Sequence, residues 1–426
     1  MVKFRIIQTT VKNIYLLTAL FLFALGIGKM YFSNYQLISG DGIYYYAQAR
    51  SLIKDLDWSF ANEMEIYQAD HKPRTLHTHP ETGRVVNKYP IGSALLWLPF
   101  LFVSHLISLF LQVIGYTGVS TGYSFLDQLF LLIASIVYFL FSAHLIQLTA
   151  GKIFIRWKIP GFLGIAFLLC TTAMYYAAVE PSMSHIPSLF SVGLFLFLSI
   201  RLIHKKQPII TYLFYGFSAA LMILVRNQNV FFLLLPLIYL LPKEHFKLKH
   251  FLLSASAGLL FLIPQFLYWQ LIYGDWLMYS YQGESFAYLT QPKFLAVLFS
   301  AESGLISWHP VHILSVSGLV YLGIKGKTFT RIFLVLLAIQ LYLYASWECW
   351  WLGDSFGYRG LANALPILFP GFVWFHKKAA DKERLPLFYL GLSVLFLWNL
   401  YLLALYAAGK ISHSGPLQMS ALFGWW

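Results

Sequence analysis

A polytopic all-α membrane bundle is the fold class this chain predicts, on three observations. The 426 residues are 59% hydrophobic and 11% charged, with a mean hydropathy of +0.66, whereas a soluble domain is about a quarter charged. The apolar residues come in continuous runs, many close to the roughly 20 residues a helix needs to cross about 30 Å of hydrocarbon, and not in the alternation of barrel strands. The Lys and Arg residues cluster between those runs, as the positive-inside rule expects.

The elements follow in order. The first run, Ile14 to Phe32, is too long for a signal h-region and has no small-residue cleavage site after it, so it reads as the first transmembrane helix. Further spans are expected at 124–147, 161–179, 186–203, 209–224, 228–242, 251–272, 303–323, 331–346, 360–376 and 386–408, giving eleven in all. With these bounds six basic clusters fall on one side, the cytoplasmic one: Lys3 to Lys12, Lys152 to Lys158, Arg201 to Lys206, Lys243 to Lys249, Lys325 to Arg331 and Lys377 to Arg384. They hold 19 of the 30 Lys and Arg residues. A full crossing by the apolar run 91–112 would put 16 of those 19 on the outer face. That run is therefore expected to be an outer-face juxtamembrane or re-entrant helix, in keeping with Pro90 at its start and Pro99 within it. The whole chain, 1–426, reads as one transmembrane domain, in a bacterial-type plasma (inner) membrane with the N-terminus cytoplasmic.

The outer face then carries the loop 33–90, the turn Glu180–His185, the loop 273–302 and the stretch Trp347–Arg359. The first loop holds seven of the seventeen acids, Asp41 among them, together with six bases; a mere connector would be shorter. From Gly40 the pattern turns helical, and Asp41, Tyr45, Gln48 and Leu52 share one face. Asp41 near a helix start has a plain reading as a surface-helix N-cap, worth about 0.3 to 1 kcal/mol.

The string DGIYYYAQARSLIKDLDW, from Asp41 to Trp58, resembles the first-loop signature of the GT-C superfamily of polyprenyl-phosphate-dependent glycosyltransferases, in the branch of protein mannosyltransferases and lipid A aminoarabinose transferases. Asp41, Tyr45, Arg50, Asp57 and Trp58 fall on that pattern; Gly42 stands where the family has a second acid, and Leu56 where it has Gly. Lys88 to Gly92 is similar to the Lys-Pro element before the family's juxtamembrane helix, with Tyr89 inserted. Trp350 to Arg359 resembles a Trp-Trp-x-Gly-x-Ser-Phe-Gly-x-Arg block of the same superfamily. The resemblance implies a GT-C fold and a sugar transferred, on the outer face, from a polyprenyl-phosphate or diphosphate donor to a lipid, glycan or protein acceptor.

Such chemistry needs a base for the acceptor hydroxyl and cations for a leaving phosphate that is already ionised. Asp41 is the candidate base. Lys88, Arg226 and Arg359, at the outer ends of apolar helices, are the candidate phosphate clamp, with snorkelling helix anchors as the alternative reading. Tyr45, Asp57, Glu180, His185, Trp351 and Asp354 are candidate substrate contacts; a Glu before Pro also suits a solvated turn, and outer tryptophans also suit an interfacial belt. No cofactor is required. A divalent metal is disfavoured, because Gly42 removes the second acid and His71, His77 and His79 match no usual zinc spacing. Cys170 and Cys349 read as structural, the placement of the basic residues does not suit a nucleic-acid partner, and no Gly-rich phosphate loop is present. A flippase or secondary transporter is the alternative, expected to carry mid-membrane ionisable residues and broken helices in paired halves. A surface polysaccharide polymerase or ligase, expected to place its main outer loop late, is the third reading.

Overall fold

The computed structural model describes residues 2–70, 77–118, 121–281, 283–327 and 329–411, with side chains described from Val11 onward except at 66–70. Among these residues the regular structure is all helical, with a lone bridge between Thr78 and Val85 and no strand. The helices are α1 (Val2–Phe32), α2 (Gly42–Arg50), α3 (Ala61–Asp70), α4 (Gly92–Val113), α5 (Phe125–Ile153), α6 (Leu163–Leu169), α7 (Ala173–Ala178), α8 (His185–His204) and α9 (Ile209–Val225). They continue with α10 (Leu234–Tyr239), α11 (Leu248–Tyr273), α12 (Phe294–Phe299), α13 (Leu305–Trp308), α14 (Val311–Ile324), α15 (Thr330–Ser346), α16 (Leu365–Asp381) and α17 (Leu385–Ala407). Six helices are long and apolar enough to cross a membrane: α1 from Val11, α4, α5, α8, α11 and α17. The protein is a membrane helical bundle. The other apolar runs are shorter or broken.

The breaks have local causes. The run expected at 161–179 divides into α6 and α7 because Thr171 Oγ1 turns back onto the Leu168 carbonyl at 2.8 Å, a threonine habit that competes with the helix ladder. The carbonyls of Leu169 and Thr171 are taken up by Asn399 Nδ2 of α17, at 2.8 and 3.0 Å, which satisfies backbone that hydrocarbon could not. The run at 303–323 divides into α13 and α14 at His309–Pro310, where proline lacks the donor a continuous helix needs. His309 Nε2 meets the same Asn399, 3.2 Å from its Oδ1. The runs at 228–242 and 360–376 open as 3-10 turns, Asn227–Leu233 and Arg359–Ala364, before α10 and α16.

Helix ends and close crossings lock the bundle. Ser124 and Asp127 form a capping box on α5, and the second Asp127 oxygen accepts from Ser104 Oγ of α4 at 2.8 Å. Tyr138 OH of α5 donates to the Leu96 carbonyl at 2.6 Å. These two bonds set α4 antiparallel to the first half of α5, and a side chain at Gly92 would overlap the Leu224–Val225 backbone at the end of α9. Gly318 of α14 and Gly371 of α16 bring their backbones into contact in the manner of small-residue membrane interfaces.

The basic clusters from Lys152 to Arg384 gather at one end of the bundle. Lys152 lies 5.6 Å over the Phe197 ring, His204 packs on Phe329 with centroids 6.0 Å apart, and His245 Nε2 is 2.7 Å from the Leu202 carbonyl. The first loop, the Glu180–His185 turn, Arg226 and the Trp350–Arg359 stretch meet at the opposite end.

Candidate active site

Asp41 occupies the N-cap position of α2, yet its side chain makes no cap hydrogen bond. Its Oδ2 instead faces Arg359 Nη2 at 3.2 Å, from 318 residues away. Arg359 is almost covered, 11% exposed at its side chain against 44% for Asp41, and also donates to the Leu352 carbonyl at 2.6 Å. Leu352 has φ 65, a left-handed conformation that costs a non-glycine residue of order 1–3 kcal/mol and tends to occur at functional sites. Gly357, at φ 63, leaves no room for a Cβ beside the His309 ring. The Gly-rich block before Arg359 is therefore a shaped loop that aims one guanidinium. Burial works against the charge on Arg359, but Tyr176, Asp41 and Glu180 more than offset it and hold its proton more tightly than usual.

Arg226 follows α9 in extended backbone. Its Nε donates to Ser184 Oγ at 3.0 Å and its Nη1 to Tyr344 OH at 3.0 Å, with the Gly360 carbonyl at 3.4 Å. Gln228 Nε2 donates to the same Tyr344 oxygen at 2.8 Å. Ser184 Oγ in turn donates to Tyr45 OH at 3.0 Å. Among the described residues Arg226 makes no ion pair, so its partners are neutral oxygens. Burial pushes the Tyr45 phenol up to about 12 despite the nearby Arg226 charge and the Ser184 hydrogen bond.

One wall is aromatic. Tyr45 packs on Tyr89 at a 35° tilt with centroids 4.3 Å apart, and Tyr89 meets Tyr281 edge-on at 6.0 Å. Lys88 Nζ lies 5.3 Å from each of the Tyr89 and Tyr281 rings and pairs with Glu284. Glu180 keeps part of its surface open although protein crowds it; burial raises its carboxyl to about 6, against the pull of Arg359 and a Tyr175 hydrogen bond. His185 is buried against the Tyr176 ring, centroids 4.4 Å apart.

Gly42 has a steric reason. A Cβ there would overlap Ser182 Oγ and crowd its Cβ and backbone carbon, so no side chain fits where the family pattern has a second acid. Glu180, two residues before that serine, brings a second carboxylate towards Arg359 instead.

Not every expected site residue joins this cluster. Asp57, an exposed residue, accepts from Ser51 Oγ at 2.8 Å and Ser59 N at 3.0 Å, holding the turn after the π-helical segment Ser51–Asp55. Asp354 accepts from Tyr406 OH at 2.6 Å, and Trp351 packs on Trp350 with centroids 5.8 Å apart; both share the loop that leads to Arg359. Sequence reasoning passed over Ser184, Tyr89, Tyr281, Tyr344 and Glu284 as site members. Of these Tyr89 lay inside the Lys-Pro element, Ser184 in the Glu180–His185 turn, and Tyr281 and Glu284 in the outer loop 273–302, whereas Tyr344, within an apolar run, carried no signal.

His79 lies edge-on to Tyr273, centroids 5.6 Å apart, and His71 falls outside the described residues. Among the described residues no three His, Cys, Asp or Glu side chains group to hold a metal ion. Searches against protein-family models, curated proteins and solved structures returned no match.

Proposed function

We propose that this protein is a GT-C type membrane glycosyltransferase of the plasma membrane, acting at the outer face and moving a sugar from a polyprenyl-phosphate or diphosphate donor to an acceptor hydroxyl. The observation that carries the reading is the meeting, at the end of the bundle opposite the basic clusters, of Asp41 with Arg359 and with an Arg226 that has no carboxylate partner. A largely buried guanidinium held only by neutral oxygens is a receptor for an anion, and arginine suits phosphate oxygens by geometry and charge.

The chemistry follows from the groups present. Asp41 is tied to Arg359 through Oδ2 and has the Tyr89 phenol as a further neighbour, contacts that orient the carboxylate towards an acceptor. The acceptor oxygen attacks the anomeric carbon and gives its proton to Asp41, while the bond from that carbon to the phosphate oxygen breaks and the phosphate keeps the electron pair. Arg226 and Arg359 take up the charge that develops there. Lys88 extends the clamp from a more open position, and the Tyr45, Tyr89 and Tyr281 rings offer faces for sugar or isoprenoid. The pairing of α4 with the outward half of α5 supports an outer-face role for the 91–112 run.

The test is transfer of radiolabelled sugar from a panel of polyprenyl-phosphate sugars to cell-envelope material by purified protein. Asp41→Asn should lower turnover by about 10²- to 10⁴-fold with expression and melting unchanged. Full activity in that variant would remove Asp41 as base, and no transfer by wild type from any donor would remove the transferase reading.

A flippase or transporter remains the second reading, favoured by the broken helices α6–α7 and α13–α14, with His309 and His312 fully enclosed in the bundle. Movement of a fluorescent lipid-linked sugar across proteoliposomes, without covalent transfer, would identify it.

A further inference from the structure

Helices α14, α16 and α17 enclose an open groove of about 1070 Å³, ample for one ligand by the usual 300–1,000 Å³ of small-molecule sites. Its walls are apolar, with Leu314, Phe372, Leu390 and Val394 among them, and Lys378, Lys382 and Arg384 stand along its edge. This edge lies at the end of the bundle where the basic clusters gather. An aromatic pair marks the same level: Tyr321 and Trp374 have centroids 4.5 Å apart, with Lys325 Nζ 5.9 Å over the first ring and Lys378 Nζ 6.0 Å over the second. Tyr and Trp with lysines at a helix end are the signature of headgroup depth.

The local charge is unbalanced. Lys377 pairs with Asp381 in the next turn, and among the described residues Lys378, Lys382 and Arg384 make no ion pair. Glu383 is the acid left to set against these three cations.

We infer that this groove holds an anionic glycerophospholipid of the leaflet at the basic end, with an acyl chain along the α14–α17 wall and its phosphate among Lys378, Lys382 and Arg384. A hydrocarbon chain suits walls that offer no backbone partners, whereas a peptide laid there would leave its own polar groups unmatched. A zwitterionic headgroup would leave the cations uncompensated, and basic pockets between membrane helices on the positive side select anionic headgroups.

The test uses full-length protein reconstituted in phosphatidylglycerol–phosphatidylcholine nanodiscs, with retained lipid read by native mass spectrometry. Wild type should keep phosphatidylglycerol in preference to phosphatidylcholine, and K378Q/K382Q/R384Q should lower that retention roughly tenfold. The control K152Q/R156Q/K158Q, at the same end of the bundle, should retain it. Gly391 of α17 lines the groove, and a Cβ there meets no heavy atom within 4 Å, so Gly391→Phe starts a bulky side chain from open space at the groove wall and should lower retention of both lipids. Equal retention of the two lipids by wild type would overturn the proposal, as would loss in the control triple variant equal to that in the groove variant. Undiminished binding in Gly391→Phe would reduce the effect to headgroup adsorption and overturn the groove.

Discussion

Two arginines, the buried Arg50 and the half-buried Arg226, sit at the same end of the bundle and are treated in opposite ways. Arg50, 6% exposed, is matched within the protein: its Nη1 meets Asp55 Oδ2 and Glu63 Oε1 at 2.7 Å each, its Nε donates to the Thr121 carbonyl at 2.7 Å, and the Tyr123 ring lies 5.6 Å away. Arg226 is given two hydroxyls and a carbonyl and, among the described residues, no carboxylate. A cation matched inside the fold anchors the first loop; one left unmatched is an electrostatic demand on whatever enters. The two arginines therefore separate scaffold from site better than burial does.

The comparison predicts different failures. Arg50→Met takes the hydrogen-bond partner from Glu63 Oε1, Asp55 Oδ2 and the Thr121 carbonyl and should cost about 1–3 kcal/mol of stability, seen as a fall in melting temperature by fluorescence-detected size exclusion. Its pH dependence sharpens the point. Burial, aided by Asp55 and opposed by Arg50, raises the Glu63 carboxyl from 4.5 to about 8, so the folded state holds that proton to higher pH than the unfolded state does. Its contribution is complete below about pH 4.5 and is lost as pH rises through 8, and Glu63→Gln should flatten the decline in stability across that window.

Arg226→Ala should do the reverse, lowering sugar transfer by about 10²- to 10³-fold while the melting temperature holds. Unfolding of this variant like that of Arg50→Met would erase the distinction. Gly42→Ala, which forces Ser182 and the turn behind it to move, should cost about 1–3 kcal/mol and be seen in the same melting assay. Glu284→Gln is the smallest change: with both partners about a third exposed, loss of the pair with Lys88 should shift stability by less than about 1 kcal/mol. It should also tighten donor binding, because Lys88 is freed for phosphate; weaker donor binding in this variant would take Lys88 out of the clamp.

Much of the fold was legible before any coordinates. All eleven expected apolar runs contain helix, because run length and the basic clusters at run ends are local properties of composition, but α1 begins at Val2 and not Ile14, and the 228–242 run keeps α-helix only over Leu234–Tyr239. The breaks were not legible, since Thr171 ends α6 in a sequence that reads as continuous and Asn399, over 200 residues away, makes that ending tolerable. Of the site, Asp41, Arg226, Arg359, Tyr45, Glu180 and Lys88 were named from motif and position. Asp57 shows where motif reasoning stops: it matches the pattern as well as Asp41 does, yet Ser51 and Ser59 engage it in its own turn.

Sequence by itself therefore determined a helical membrane chain with its basic residues in clusters and its charged first loop after the first helix, because hydropathy and charge act along the chain. Tertiary structure alone decided which charges meet. Asp41 finds Arg359 across 318 residues, Ser184 links Arg226 to Tyr45, and Arg226 has no carboxylate partner among the described residues, because pairing depends on the spatial order in which helices pack and no local pattern records it.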